Sequence, residues 1–321
     1  MTDLIALDWG TSSLRAFLMR DAQVVEERSS PHGIQKLPEP GGEEGYRAAF
    51  TQICGDWAAL GLPAVAGGMV GSQQGWIEAP YVRCPAAVTD LVRSEGLVDT
   101  PQGGQLHIVP GVLLDDPALP PDVIRGEEIQ IAGALADRPD WARAALFVMP
   151  GTHSKWVTVR DSVIETFSTY MTGEIFAVMA DHSILGRLMT DDAPAADVAA
   201  DAFAKGIEVA RAGGAGDLGH QLFSTRTMGL TKRLPNNALR DYLSGLLIGN
   251  EILSAARALE GRAAAAILMI GEGRLCDRYR DAMAMFGLTV TAQLGNTAPQ
   301  GLWRFAETRG LVAPASQPSL A

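Results

Sequence analysis

The chain opens on short apolar runs, each cut by a turn. Leu4-Ile5-Ala6-Leu7-Asp8 leads into Trp9-Gly10-Thr11-Ser12-Ser13, then Leu14-Arg15-Ala16-Phe17-Leu18-Met19-Arg20, an Asp21-Ala22 turn and Gln23-Val24-Val25-Glu26. The same order returns about 140 residues later. There Leu146-Phe147-Val148-Met149-Pro150 precedes Gly151-Thr152-His153-Ser154, then Lys155-Trp156-Val157-Thr158-Val159-Arg160, an Asp161-Ser162 turn and Val163-Ile164-Glu165. Short runs rich in β-branched residues and punctuated by Gly and Asp are strand and hairpin signals. The repeat predicts two similar domains, each opening on a β-hairpin whose tip faces a shared cleft.

Between and after the two copies the apolar period becomes helical. Tyr46, Phe50, Ile53 and Trp57 are spaced for a helix over 43–61. Residues 63–70 read as a strand entering a Gly-rich loop, and 89–95 as a short helix. The Pro- and Gly-rich stretch 100–122 reads as loop and sheet edge. Helices are predicted over 128–137, 174–189, 196–211 and 239–259, and a strand over 264–270 that ends in Gly271-Glu272-Gly273. Alternating strands and helices predict α/β layers. The expected domains are 1–126 and 127–321, with a frayed tail after Pro314.

Composition narrows the function classes. The 321 residues carry a formal charge of −11, with 47% apolar and 20% charged residues, a globular balance. The acidic excess argues against a nucleic-acid partner, whose footprint is a basic face. No apolar run reaches the roughly 18 residues that span a bilayer. The start, Met1-Thr2-Asp3-Leu4, lacks the basic region of a secretory signal. Cys54, Cys84 and Cys276 are odd in number and widely spaced, which predicts reduced thiols and a cytoplasmic protein.

The two turns carry the first candidate chemistry. A tight Gly-Thr-x-Ser turn presents backbone N–H groups, and glycine lets a phosphate come close. Gly10, Thr11 and Ser12 form one such set, and Gly151, Thr152, His153 and Ser154 the other. Asp8, just before the first turn, is placed to hold Mg²⁺ directly or through water. Lys155, one of four lysines, follows the second turn and suits a phosphate as a point charge. His153 either donates to a phosphate or packs beside Trp156. No GxxxxGK[ST], complete dinucleotide fingerprint, GxSxG or HExxH is present.

This arrangement resembles the actin-like ATPase superfamily of sugar kinases, Hsp70 and actin. The resemblance implies a two-domain actin-like (ribonuclease H-like) α/β fold with mixed sheets and a central nucleotide cleft, using ATP and Mg²⁺. Gly271, Glu272 and Gly273 then match a late loop that lies against adenosine. More narrowly, the chain is similar to the 2-dehydro-3-deoxygalactonokinase family. The similarity rests on Asp8-Trp9-Gly10-Thr11-Ser12, Gly68-Met69-Val70-Gly71-Ser72-Gln73-Gln74-Gly75-Trp76, Arg125-Gly126-Glu127-Glu128 and Pro150-Gly151-Thr152-His153-Ser154-Lys155-Trp156. It rests also on Phe167-Ser168-Thr169-Tyr170-Met171-Thr172-Gly173-Glu174 and Tyr242-Leu243-Ser244-Gly245-Leu246-Leu247-Ile248-Gly249. Gln73 stands where the family pattern has Arg.

The resemblance implies phosphoryl transfer to a small sugar acid, 2-dehydro-3-deoxy-D-galactonate. Another 2-keto-3-deoxy acid, or a non-catalytic actin-like ATP-binding protein, are the alternatives. Similar carbohydrate kinases place a base just before the second hairpin, where this chain has Glu127, with Glu128 as its near rival and Asp8 behind them. Both glutamates also suit a helix N-terminus for electrostatic reasons alone. The loop 67–81 is the expected acceptor wall, with Ser72, Gln73, Gln74, Trp76 and Tyr81 mixing amides and aromatic faces. Arg125 suits the acid group of the acceptor, or a helix-face ion pair. The 239–259 helix is expected to serve the core or a homodimer surface.

Overall fold

The computed structural model describes residues 3–118, 120–213, 216–258, 266–271 and 273–314. Glu272 and the expected tail after residue 314 lie outside them. The chain begins with β1 (Asp3–Trp9), β2 (Leu14–Arg20) and β3 (Gln23–Ser30), an antiparallel meander in which Asp8 faces Arg15. After α1 (Gly42–Ala58), β4 (Ala64–Gly68) pairs parallel to β1, with Asp8 opposite Gly67 and Trp9 opposite Gly68. Then follow β5 (Tyr81–Arg83), α2 (Val88–Arg93), β6 (Gly96–Asp99), β7 (Gln105–Ile108), β8 (Gly111–Leu114), β9 (Asp122–Ile124) and α3 (Glu127–Asp137). The first sheet has the order β3-β2-β1-β4-β7-β6, and β5, β8 and β9 form a small second one.

The succession then repeats. The strands β10 (Ala144–Met149), β11 (Ser154–Arg160) and β12 (Val163–Tyr170) precede four helices. These are α4 (Thr172–His182), α5 (Ala196–Gly213), α6 (Leu218–Leu230) and α7 (Leu239–Ala258). Next, β13 (Ile267–Ile270) pairs parallel to β10, with Leu146 opposite Ile267. The chain closes with α8 (Gly273–Met285), β14 (Ala292–Leu294) and α9 (Ala298–Arg309), and this sheet has the order β12-β11-β10-β13-β14. Both copies thus run three consecutive strands and then lay a later strand parallel to the first. The turns between the second and third strands match as well: Asp21 and Ala22 have φ of 48° and 67°, Asp161 and Ser162 of 49° and 65°. Two successive residues of positive φ make the turn whose twist suits a two-residue hairpin. The duplicated order is the actin-like, ribonuclease H-like arrangement.

Central position explains the apolar runs. β1 lies between β2 and β4, so Leu4, Ile5, Ala6 and Leu7 are all fully buried. The helix stripe of Tyr46, Phe50, Ile53 and Trp57 packs in the core as its spacing predicts. The predicted 174–189 helix stops at His182, where Ser183 turns extended and its Oγ accepts the Leu185 N–H at 3.0 Å. The stretch 100–122 is not all loop: it holds β7 and β8, because Leu106 and Ile108 find a buried place beside β4. The face of α7 with Leu243, Leu246, Leu247 and Ile248 is core, not a dimer surface.

Packing divides the chain into two compact units. Unit 1 is drawn from Met1–Ala145, Val157–Phe167 and Leu294–Ala321, and unit 2 from Leu146–Trp156 and Ser168–Gln293. This differs from a boundary after residue 126, because α3 crosses α9 at very close range. A Cβ on Gly133 would lie 1.9 Å from the Thr297 carbonyl oxygen, and one on Gly301 1.9 Å from that of Ile129. Thr297 Oγ1 also donates to the Gln130 carbonyl at 2.6 Å. The two helices therefore complete unit 1 together.

Candidate active site

The first Gly-Thr-x-Ser turn joins β1 to β2. Gly10 N–H donates to the Ser13 carbonyl at 2.9 Å, which closes the turn and leaves Thr11, Ser12 and Ser13 exposed. A second segment braces it from behind. The Ile34 and Gln35 N–H groups donate to the carbonyls of Gly10 and Thr11, each at 3.1 Å. This contact needs glycine at 33, since a Cβ there would lie 2.4 Å from Ser12 C and Ser13 N. The turn is thus held by backbone while its hydroxyls face solvent.

Asp8 sits one residue before the end of β1, and Arg15, its cross-strand neighbour, donates to its Oδ2 at 2.5 Å. Among the described residues no three His, Cys, Asp or Glu converge as a metal cage. Mg²⁺ is usually held by one or two carboxylates and the substrate's phosphates. A single carboxylate oxygen beside an exposed Gly-Thr-x-Ser turn fits that donor set.

Two glycines bring the N-terminus of α3 to the ends of β1 and β4. Gly68 has φ 92°, and a Cβ there would meet the Trp9 carbonyl oxygen at 2.9 Å. Gly126 has φ 104°, and its Cβ would reach the Gly68 Cα at 3.4 Å. Glu127, the first residue of α3, is half-buried, and its Oε2 accepts the Arg125 backbone N–H at 2.8 Å. Glu128 points inward and is buried, with both oxygens accepting the Gly126 N–H at 2.7 and 2.9 Å. Burial, and then the neighbouring Glu127 charge, push its carboxyl up to about 8. Of the two glutamates, Glu128 is spent on the backbone that carries Glu127.

The loop after β4 splits its expected residues between surface and core. Gln73 and Gln74 are exposed. Trp76 is only 9% exposed: it stacks on Tyr46 with ring centroids 5.8 Å apart and meets Trp9 and Phe50 edge-on. The ring belongs to the core, not to an open wall, because four aromatic side chains close on one another there. Tyr81 is half-exposed and covers the Arg125 guanidinium at 4.4 Å. Arg125 Nη2 donates to the Ala79 carbonyl at 2.9 Å, while its Nε and Nη1, and the buried Ser72 Oγ, have no partner among the described residues. Arg125 and Tyr81 thus come together, with Gly71 beside the guanidinium.

The second turn, between β10 and β11, rests on the N-terminus of α4. Glu174 N–H donates to the Thr152 carbonyl at 3.0 Å, and a Cβ on Gly173 would lie 2.5 Å from the Gly151 oxygen. His153 Nε2 meets Glu174 Oε2 at 2.5 Å, so the imidazole is turned to α4. Lys155 is 6% exposed, and its Nζ donates to the His153 carbonyl at 3.0 Å, which ties the lysine into the turn. Ser154 is fully buried, and its hydroxyl bonds the Tyr279 hydroxyl at 2.8 Å. It faces the interior because β11 has begun there and alternation sends the side chain inward. Among the turn residues, Gly151, Thr152 and His153 remain at the surface.

Beside this turn, within unit 2, lies a cavity of about 650 Å³, a volume ordinary for small-molecule sites. Gly151, Thr172 and Gly173 line one part of it. Phe176, Leu247 and Ile248 add apolar surface, and Asn237, Arg240, Ser244, Arg274 and Arg278 add polar groups. Gly271 follows β13 at φ 145°, and Gly273, at φ 72°, opens α8, which supplies Arg274 and Arg278. The sequence reading missed these arginines, and it expected α7 to serve only the core or a dimer surface, whereas Arg240, Ser244, Leu247 and Ile248 line this cavity. The signal was present in Thr172-Gly173-Glu174 and in Ser244 of the Tyr242 segment, which carried the family resemblance without a role.

Comparison with known proteins matches this architecture to one family. The family profile described as 2-keto-3-deoxy-galactonokinase matches residues 8–305. The 2-dehydro-3-deoxygalactonokinase of Escherichia coli (strain K12) is 36% identical over 298 residues, covering 92% of this chain and 94% of that protein. The crystal structure of a Sinorhizobium meliloti protein described as a 2-dehydro-3-deoxygalactonokinase superposes with a TM-score of 0.78 at 33% identity. That superposition covers 95% of this chain and 98% of the other. By family profile, by sequence and by fold, this chain belongs to the 2-keto-3-deoxy-galactonokinase family.

Proposed function

We propose that the chain transfers the γ-phosphoryl group of ATP to the terminal 6-hydroxyl of 2-dehydro-3-deoxy-D-galactonate, a cytoplasmic step in galactonate catabolism. The observation that carries this reading is the exposed Gly10-Thr11-Ser12 turn at the end of β1, with Glu127 brought to the same strand ends by Gly68 and Gly126. A phosphate turn and a carboxylate at one place are what transfer to an alcohol requires. Family membership and the acceptor in the Escherichia coli relative's name supply the substrate class.

In this reading Glu127 accepts the proton of the 6-hydroxyl as that oxygen attacks. Arg125 meets the acceptor's carboxylate, which suits its unpartnered Nε and Nη1. Ser72, Gln73, Gln74 and Tyr81 offer hydroxyl, amide and ring contacts to the carbon chain. In unit 1 the Thr11 and Ser12 hydroxyls donate to phosphate oxygens; in unit 2 the backbone of Gly151 and Thr152 does so, His153 donates a further hydrogen bond, and Lys155 adds positive charge. The cavity beside the second turn takes the nucleoside. Mg²⁺, held at Asp8 with phosphate oxygens, supplies charge neutralisation when bound.

A coupled ADP-release assay over 2-keto-3-deoxy acids derived from galactonate, gluconate and arabinonate tests the reaction. The galactonate-derived acid is expected to give the highest kcat/KM, and equal ADP release with and without acceptor would overturn the kinase reading. For the base, Glu127→Gln is expected to lower kcat by about 10²–10⁴-fold with folding intact. Near-normal turnover would remove Glu127 from the role.

A further inference from the structure

Beneath the second turn, the side chain of Glu251 on α7 is 3% exposed. It has no ordinary reason to be there, since a buried carboxyl costs more than an apolar side chain of the same size. Its surroundings are neutral hydrogen-bond donors drawn from separate elements. Trp156 Nε1, on β11, donates to Oε1 at 2.7 Å. The Tyr279 hydroxyl, on α8, donates to Oε2 at 2.6 Å. The Thr172 hydroxyl, at the start of α4, also hydrogen-bonds to the carboxyl, and Ser154, where the turn enters β11, reaches it through Tyr279 by donating to that residue's hydroxyl oxygen. A carboxyl group offers about four acceptor positions, and three donors meet this one directly.

Those donors are not scattered. Thr172 and Tyr279 line the cavity, and Ser154 ends the turn whose Gly151 lines it too. The Ser154 and Tyr279 hydroxyls also bond each other at 2.8 Å, which closes the network. One side chain on α7 therefore joins the turn, the N-terminus of α4 and α8, three elements that border the same space. Loss of one acceptor would leave a buried donor unpaired and free its element to shift.

We propose that Glu251 is a positioning residue for nucleotide binding, holding the second turn, α4 and α8 in one register around the cavity through its buried hydrogen-bonded carboxyl. The proposal rests on the reading of that cavity as the nucleoside site. It acts through Ser154, Thr172 and Tyr279, and gives Ser154 a role other than direct contact with phosphate.

Glu251→Gln keeps the size and replaces one acceptor oxygen with a donor. ADP affinity by calorimetry, and the two KM values, are measured on the full chain, with circular dichroism to establish folding. The expected result is a rise of tenfold or more in the ADP Kd and the ATP KM, with the acceptor KM within twofold. A merely structural loss lowers the active fraction and leaves both KM values in place. An unchanged ADP Kd in a folded variant, or equal rises in both KM values, would overturn the proposal. Tyr279→Phe removes one donor with little change in volume and decides the matter should Glu251→Gln fail to fold; a threefold or greater rise in ADP Kd is expected, and no rise counts against it. The double variant is expected to lose no more than Glu251→Gln alone, and additive losses would contradict a single hub. Absence of ADP binding by the unaltered protein would instead sink the nucleoside reading of the cavity.

Discussion

At the scale of single residues, Glu128 makes stability depend on pH with a definite sign. Its folded carboxyl titrates at about 8 against an ordinary 4.5. Between those values the folded chain keeps a proton that the unfolded chain has lost, so stability falls as pH rises across the window. Below it both states are protonated, and above it both are ionised, so the dependence ends at either side. Glu128→Gln keeps an acceptor for the Gly126 N–H and removes the titration. Urea midpoints from pH 5 to 8 are expected to show the unaltered protein losing roughly 1 kcal/mol per pH unit relative to the variant. Parallel curves would contradict a neutral buried Glu128. The family resemblance identified Glu127, with Glu128 as its rival, but not which of them faces inward. That choice depends on the helix phase set by Gly126, a positive-φ residue that looks like any other glycine in a sequence. Trp76 and Ser154 were opaque for a related reason: residue type suggested contact with ligand, and only packing reveals the direction of the side chain.

At the scale of elements, the crossing of α3 and α9 is the most exacting contact in unit 1. Alanine is preferred to glycine inside a helix by about 1 kcal/mol. At Gly133 that gain is outweighed, because the new Cβ would meet a backbone carbonyl at 1.9 Å and neither helix can yield without moving the other. Gly133→Ala is expected to destabilise the protein by about 2 kcal/mol or more, read from urea denaturation. An unchanged midpoint would show that the two helices can separate. Elements with a clean apolar period were legible: the α1 stripe, β1, the hairpin repeat and α7 were each placed within a few residues. β7 was hidden by the Pro and Gly around it. α8 was hidden by a charged sequence, Arg274-Leu275-Cys276-Asp277-Arg278, whose apolar face is thin. In α9 Pro299 sits in the first turn, where its missing N–H costs nothing.

At the scale of the whole molecule, a chain of formal charge −11 is proposed to bind two anions. Long-range repulsion then opposes encounter, while backbone N–H groups and a few local cations provide the attraction. The screening length shrinks from about 30 Å at 0.01 M salt to about 10 Å at 0.1 M. With Mg²⁺ held constant, kcat/KM for the acceptor is expected to rise about twofold or more over that range. A fall would mean that local cations such as Arg125 govern the approach. The duplication was legible because both copies spell out the same strands and turns. The division into units was not, since chain order gives no sign that the last helix belongs with the first sheet.

That return of α9 bears on how the protein is made. Leu302, Trp303 and Phe305 are buried in unit 1, against strands that leave the ribosome hundreds of residues earlier. Unit 2 lies between them in the chain, so it is fully synthesised before unit 1 has all of its parts. The nascent N-terminal sheet must wait through most of translation with the place of α9 unfilled, exposing apolar surface to whatever holds it meanwhile. In this molecule the half that is translated first is the half that is completed last.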